Sequence, residues 1–165
     1  MKLEQSFFAR PTLVMARDLL GRVLVRRTPQ GACAGIIVET EAYTLGDPAC
    51  HASRGRSNRN ASMFAAPGHG YVYIIYGIHH CFNIVSGQEG VGEAVLIRAL
   101  EPVAGIPLMQ ERRSTQDIRL LCSGPARLCQ ALAITTAQDG IALLGEEIFL
   151  LAGRAAPQVA TTPRI

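Results

Sequence analysis

The apolar positions near the start of the chain have a helical spacing that changes to strand-like runs after Gly21. Pro11 fixes a first-turn dihedral and Gly21 can end a helix, so a helix is predicted between them. Its apolar stripe consists of Leu13, Ala16 and Leu20. Two strands follow, at 23–25 and 32–43, and the turn residues between them predict a hairpin. We expect the apolar face of the helix to pack on a sheet.

The segment 44–70 shows no sustained hydrophobic period and is rich in Gly, Pro, Asn, Ser and Arg. Connections in compact domains are usually about 4 to 6 residues long, and much longer ones are often functional. Beyond this loop the pattern predicts three strands, at 71–76, 81–85 and 94–100, and we expect Pro102 to stop the third. The three strands should form an antiparallel meander.

The last third of the chain predicts two helices and one strand. Residues 108–113 and 123–132 have helical character, with Ser123 as N-cap and Pro125 in the first turn of the second helix. A short strand is predicted at 147–151. Of the 165 residues, 48% are hydrophobic and 18% are charged, which is typical of one globular domain. We therefore expect a single α+β domain over residues 1–165.

The charge pattern permits an anionic partner without requiring one. Sixteen basic and 13 acidic residues give a net charge of +3, and Lys2 is the only lysine. The many arginines suit bidentate phosphate contacts, and they are equally a feature of GC-rich genomes. A chain with no lysine beyond its start lacks the amine that Schiff-base chemistry requires. No apolar run is long enough to span a membrane and the start has no secretory core, so we expect a cytoplasmic protein without a membrane partner, nucleoid-associated if bacterial.

The five cysteines predict neither disulfides nor a metal site. Their number is odd and no CxxC pair occurs. Cys50-His51 and His79-His80-Cys81 carry donor atoms, but directly adjacent residues seldom converge on one ion. We expect reduced, mostly buried thiols and no metal.

Glu39, Glu41 and Tyr43 occupy alternate positions of the stretch IVETEAY, so the geometry of a strand places them on one face. Two carboxylates beside a ring can form a general-base site. They can equally be the solvated face of a half-buried strand. The apolar residues 35–38 indicate a core-like strand and favour the first interpretation.

The loop sequence HASRGRSNRNASMF places Arg54, Arg56 and Arg59 among small polar side chains. Such a cluster can bind a nucleic-acid backbone, although arginines in loops are often only a soluble surface. His51 stands at the start of this loop. A lone histidine of this kind is more often structural than catalytic.

Three of the four tyrosines lie in the stretch YVYIIYG. Tyr71 and Tyr73 share one strand face, and core packing accounts for Tyr71. Tyr76 is on the opposite face beside a glycine turn, where a large ring is exposed unless it inserts into a partner. Proteins that bend duplex DNA use a wedge of this kind between base steps.

Six motifs follow one another between residues 6 and 152: IVETEAY, ACHASRGRSNRNASMF, PGHGYVYIIYG, FNIV, VLIRALEP and LCSGPARLCQAL. With them the chain resembles the alkyladenine (3-methyladenine) DNA glycosylase family. The resemblance implies a curved antiparallel sheet flanked by helices, with a protruding β-hairpin. It also implies a monofunctional enzyme without metal or cofactor. Such an enzyme flips alkylated purines, and in some members deaminated or etheno purines, out of double-stranded DNA and hydrolyses their N-glycosidic bond.

The resemblance assigns the catalytic roles by motif position. Glu41, the second glutamate of ETEAY, is implied to be the general base that activates water, with Glu39 in support. Arg98 of LIRALEP resembles the arginine that helps to position this water and favours the ionised glutamate.

The resemblance also assigns the residues that recognise the base. Tyr43, His51 and Tyr73 match the side chains that sandwich the flipped base, and the His51 backbone amide reads its edge. Asn83 of FNIV matches an asparagine that crowds the exocyclic amine of normal guanine. Tyr76 matches the tyrosine that intercalates into the gap left in the duplex.

The C-terminus separates the remaining alternatives. The family continues beyond TTPRI with a strand-forming stretch, so we expect this chain to be short at its C-terminus, and Ile165 matches a residue whose carbonyl helps to hold the water. A catalytically impaired lesion-binding protein of the same fold is one alternative, and an RNA- or nucleotide-binding β-domain is another. Order of residues 160–165 beside Glu41 would favour the enzyme over the lesion-binding protein. A monomer is the default expectation.

Overall fold

A six-stranded antiparallel sheet organises the fold, and the computed structural model describes residues 1–164. The strands are β1 (Val23–Thr28), β2 (Gly31–Tyr43), β3 (Gly70–Ile75), β4 (His79–Ser86), β5 (Glu93–Ala104) and β6 (Ile148–Leu151). The α-helices are α1 (Gln5–Phe8), α2 (Thr12–Asp18), α3 (Ile106–Arg113) and α4 (Pro125–Leu132). The strands lie in the order β3-β4-β5-β2-β1-β6 in one curled sheet. The expected α+β fold is confirmed.

The hairpin and the meander predicted from the sequence are both present. β1 pairs with β2, and β3, β4 and β5 pair in succession. The two units join because β2 also pairs with β5, from Ala34 opposite Ala104 to Tyr43 opposite Ala94. This long central pair carries the predicted glutamate motif on one strand and the predicted arginine on the other.

The two faces of the sheet are covered differently. On one face, α2 and α4 pack over the main core, which includes Val72 and Ile84. On the other face, residues of the 44–69 segment cover a smaller cluster with Tyr71 and Tyr73. Because successive strand residues point to opposite faces, β3 serves the main core and the loop-covered face at once.

Helix α2 buries a different stripe from the predicted one. Leu13 is 66% exposed, whereas Met15 and Leu19 are fully buried. The other two residues of the predicted stripe pack only at the margin of the core. A buried hydrogen bond of 2.8 Å between the hydroxyls of Thr12 and Ser86 fixes the rotation of the helix against β4. The apolar spacing was therefore compatible with two faces, and a buried polar contact selects one of them.

Several predicted ends differ from the structure by a few residues, and two of these differences have a clear local cause. β5 continues through Pro102, because Leu100, two residues earlier, donates its N–H to Cys122 instead of to β2. The Pro102 nitrogen therefore lies on the unpaired side of the strand, where its missing N–H costs no ladder hydrogen bond. Helix α4 begins with Gly124, not Ser123, at its N-cap, and the glycine has a φ of +149°.

All five cysteines are buried and none forms a disulfide. Among residues 1–164, no three His, Cys, Asp or Glu side chains come close enough to hold a metal ion. Within the same residues, no helix is long and apolar enough to cross a membrane.

Candidate active site

Glu41 is held by side chains from β2, β5 and the C-terminal segment. Its Oε2 accepts a hydrogen bond from Arg98 Nη1 at 2.8 Å, and its Oε1 accepts one from the Tyr43 hydroxyl at 2.5 Å. Arg164 Nη1 lies 3.4 Å from the same Oε1. The Glu41 side chain is 17% exposed, whereas that of Glu39, which accepts from Arg98 Nε at 2.8 Å, is 58% exposed. Of the two candidate carboxylates, Glu41 is the enclosed one.

A β-bulge places Arg98 opposite these carboxylates. In the β2–β5 ladder, Arg98 is the unpaired residue between the partners of Glu39 and Thr40. Bulges occur beside functional sites because they re-aim a side chain. The apolar run before the glutamates is less buried than predicted, since Val38 is 51% exposed.

An aromatic pocket adjoins the carboxylate on the loop-covered face. It is lined by Tyr43, His51, Met63, Tyr71, Tyr73 and Asn83. The rings of His51 and Tyr73 have centroids 4.4 Å apart, and His51 Nδ1 lies 2.9 Å from the Tyr71 hydroxyl. The structure thus brings together all four residues predicted for the base pocket. Tyr43 belongs to both sites, since its ring lines the pocket and its hydroxyl bonds Glu41.

The pocket is narrow, with a cavity volume of about 10 Å³. A cavity of this size holds about one water molecule, so its enclosed part does not accommodate a purine in this conformation. Asn83 is 2% exposed, and its Nδ2 donates to the Tyr71 carbonyl at 3.2 Å. This bond fixes the orientation of the amide at the bottom of the pocket.

The pocket rings are uncharged in neutral solution. Burial, followed by the hydrogen bond to Glu41, raises the pKa of Tyr43 to about 12. Burial also raises the pKa of Tyr71 to about 12. The pKa of His51 is lowered, first by burial and then by the nearby charge of Arg59. The quadrupole of a neutral aromatic ring gives its face a negative electrostatic potential, which attracts a cationic ligand.

Asn60 organises the loop that carries His51. It is 6% exposed, and its Nδ2 donates to the carbonyls of His51 at 2.9 Å and Gly55 at 3.0 Å. Its Oδ1 accepts the Ser57 N–H at 2.7 Å. The sequence analysis missed this residue, although an asparagine between glycine and serine residues is a known signal for side-chain-stabilised turns.

The three predicted backbone-binding arginines are all exposed on this loop. Arg54 and Arg56 have no hydrogen-bond partner within the described residues, and Arg59 Nη2 donates to the Ile74 carbonyl at 3.1 Å. Two of the three guanidinium groups can therefore meet a phosphate without breaking a contact.

Tyr76 lies at the tip of the β3–β4 hairpin and is 89% exposed, so its ring is not core packing. Its φ of +53° is in the left-handed region, which is unfavourable for a bulky residue. The neighbouring Ile78 is 71% exposed. The tip therefore presents apolar surface on a strained turn.

Comparison with known sequences supplies the family. The sequence profile described as methylpurine-DNA glycosylase matches residues 6–165. The chain belongs to this DNA glycosylase family. A relative from Methanoculleus marisnigri is 54% identical over 143 residues, which are 87% of this chain and 74% of the relative. One from Carboxydothermus hydrogenoformans is 51% identical over 151 residues, 92% of this chain and 79% of the relative, and both carry the name "Putative 3-methyladenine DNA glycosylase".

The candidate site contains two residues that were not predicted from the sequence. Asp47 and Arg164 form an ion pair beside Glu41. Residues 160–164 line the same groove as Glu41. Their order beside Glu41 is the feature that was expected to favour an enzyme over a lesion-binding protein. Ile165, the predicted water-holding position, lies outside the described residues.

Proposed function

We propose that this chain is a monofunctional DNA glycosylase that flips alkylated purines out of duplex DNA and hydrolyses their N-glycosidic bond. The observation that carries the proposal is the position of Glu41. Its carboxylate is paired with Arg98 and linked through the Tyr43 hydroxyl to the aromatic pocket. A base stacked on Tyr43 would place its sugar near this carboxylate.

The Glu41 carboxylate can act as the proton acceptor in the reaction. The water oxygen forms a bond to the anomeric carbon, and the water proton passes to the Glu41 carboxylate. The C1′–N9 bond breaks and its electron pair stays on the purine. In 3-methyladenine this pair neutralises the positive charge of the base, so the leaving group needs no acid. The Arg98 guanidinium donates a hydrogen bond to this carboxylate and orients it.

The pocket supports selection of cationic bases. Tyr43, His51 and Tyr73 present neutral aromatic faces, which stack on a purine and attract a positive charge. Asn83 would crowd the exocyclic amine of normal guanine from the fixed position that its bond to Tyr71 gives it. Deaminated and etheno purines, which lack that amine, remain substrates in this proposal.

The outer surface supports binding to double-stranded DNA. Tyr76 would fill the gap that the flipped nucleotide leaves in the stack. Arg54, Arg56 and Arg59 would contact the phosphate backbone. The only lysine, Lys2, is paired with Glu146 and bonded to the Gly145 carbonyl, which favours attack by water over attack by a lysine amine.

The test is single-turnover release of 3-methyladenine and of hypoxanthine from duplex DNA. We expect Glu41→Gln to abolish release and to spare lesion binding, because the amide keeps the shape of the side chain and cannot take the proton. Glu39→Gln is the matched control, since Glu39 is exposed and shares Arg98. Release that persists in Glu41→Gln would refute the assigned base. Lesion-selective binding without release in the wild type would favour the binding protein.

A further inference from the structure

Arg164 contacts three parts of the candidate site and has no role in the mechanism above. Its Nη1 lies 3.4 Å from Glu41 Oε1, and its Nη2 donates to Asp47 Oδ2. Its guanidinium carbon lies 4.7 Å from the centroid of the Tyr43 ring. One side chain thus touches the carboxylate, the ring that links it to the pocket, and the start of the long loop.

Asp47 fixes Arg164 in this position. The Asp47 side chain is 15% exposed, and its Oδ1 accepts the Ala49 N–H at 2.9 Å while Oδ2 accepts from Arg164. Hydrogen bonds from Arg164 and Ala49 lower the pKa of Asp47, so it is a carboxylate in neutral solution. The guanidinium is held by a charge-assisted hydrogen bond from Nη2, which is stronger than one between neutral groups.

The charges around Glu41 do not balance without Arg164. The groups that face it are Glu39 and Tyr43 from its own strand, Arg98 from β5, Asp47 from the loop, and Arg164. Arg98 is already shared between Glu39 and Glu41. Removal of Arg164 leaves three carboxylates with one guanidinium, and like charges at short distance repel.

We propose that Arg164 is a positioning residue that fixes the Glu41 carboxylate and the Tyr43 ring relative to each other. This inference rests on the proposed glycosylase function. Arg164 shares Glu41 Oε1 with the Tyr43 hydroxyl and, from the other side, opposes rotation of the carboxylate away from the pocket. Its guanidinium packs on the Tyr43 ring and does not line the pocket, so it supports the ring without occupying the space of the base.

The test compares Arg164→Gln, Arg164→Lys and Asp47→Asn in single-turnover release of 3-methyladenine. We expect Arg164→Gln to lower the maximal rate about 10- to 100-fold, the usual cost of a small misplacement of a reacting group. The enzyme concentration that gives half the maximal rate should change by less than about threefold, since ground-state binding is not the affected step. Arg164→Lys should recover part of the rate, because it restores the charge without the planar fork.

Two further variants separate positioning from other causes. Arg154→Gln is the matched control, because Arg154 is exposed in the same C-terminal segment and its side chain has no hydrogen bond to residues 1–164. In the double variant, the losses in rate from Arg164→Gln and Asp47→Asn should combine to less than their product, because both substitutions remove the same contact. If Arg164→Gln raises the half-saturating enzyme concentration and leaves the maximal rate unchanged, the proposal is wrong and a phosphate contact is favoured.

A second readout does not depend on activity. In protein labelled with ¹³C, the carboxyl signal of Glu41 and the ring signals of Tyr43 should shift in Arg164→Gln and stay in place in Arg154→Gln. Unchanged signals would reject the positioning role. If the wild type releases no base while these signals shift, the glycosylase proposal fails and the contact of Arg164 with Glu41 stands.

Discussion

Val38 and Arg98 are the unpaired residues of two bulges on opposite strands of the same ladder, and the bulges cancel. Ile37 pairs with Leu100 before them and Thr40 pairs with Ile97 after them, in the same register. The register is therefore the same on both sides of the pair, and the one further shift in this ladder lies at its other end, between Ala34 and Gly35. Between the two bulges only Glu39 and its partner Ala99 are displaced, and Glu41 lies just beyond them, in the regular register opposite Leu96. The ladder concentrates its irregularity at the candidate active site.

We expect Arg98 to tolerate no conservative replacement. Its Nε bonds Glu39 and its Nη1 bonds Glu41, each at 2.8 Å, and a lysine amine cannot span both carboxylates in the same geometry. Arg98→Lys should lower the single-turnover rate by about tenfold or more, the scale of a lost oriented donor. Glu39→Gln should lower it much less, because the bond to Glu41 remains. If Arg98→Lys and Glu39→Gln lower the rate equally, the contribution of Arg98 to catalysis comes from its pair with Glu39.

Tyr76 should matter for binding to duplex DNA and not for folding. Tyr76→Gly removes the exposed ring and relieves a φ of +53°, so stability to urea should be unchanged or higher by up to about 1 kcal/mol. Affinity for a lesion-containing duplex should fall about tenfold or more, which is roughly 1.4 kcal/mol. Affinity for the same single strand should fall less. Leu45→Ala, which removes another exposed apolar side chain, is the control, and equal losses on both DNA forms would contradict insertion between base steps.

Arg54 and Arg56 should contribute a salt-dependent, sequence-independent part of DNA affinity. For each phosphate contact, the slope of log affinity against log salt changes by about 1. Arg54→Gln and Arg56→Gln should each reduce that slope by about this amount for damaged and undamaged duplexes alike. Arg119→Gln is the control, since Arg119 is exposed and already pairs with Asp117. A slope that does not change would remove both residues from the DNA interface.

Tyr71 should make the protein less stable in alkali. Burial raises its pKa from 10.0 to about 12, so the native state holds the proton more tightly than the unfolded state. Its contribution to stability is complete below pH 10 and is lost as the pH rises through about 12. Two pH units correspond to about 2.7 kcal/mol. Urea unfolding between pH 9 and 11.5 should show a smaller decline in Tyr71→Phe than in the wild type.

The wild type is the internal reference for that comparison. The other buried tyrosines and cysteines titrate in both proteins, so the difference in slope isolates Tyr71. Tyr71→Phe also loses the contact with His51 Nδ1, which lowers stability at every pH. Parallel declines in the two proteins would show that the Tyr71 phenol does not titrate in this range.

Alternation along the strands was enough to predict which face each site residue occupies. Tyr71 and Tyr73 share a face, and Glu41 and Tyr43 share one, because the period of a strand is two. The roles proposed for these residues come from the family motifs. The bulge at Arg98 could not be predicted, since nothing in VLIRALEP distinguishes an unpaired arginine from a paired one.

The contact between Arg164 and Glu41 was not predicted either, although the family resemblance placed residues 160–165 near Glu41. Arg164 and Glu41 are separated by 123 residues. A single sequence, considered without its relatives, does not indicate that two such distant residues are in contact. The misplaced stripe of α2 has a related cause. Its rotation depends on the hydroxyl of Ser86 in a distant strand, and the apolar period alone does not encode that partner.

The path of the C-terminal segment makes the site more fragile than the fold. Residues 152–164 contain no helix or strand and are largely exposed, which places them at the low-stability end of the structure. Detachment of this segment would release Arg164 while leaving the sheet and the aromatic pocket folded. If Arg164 positions Glu41 as proposed, the protein then loses activity while its secondary structure stays native.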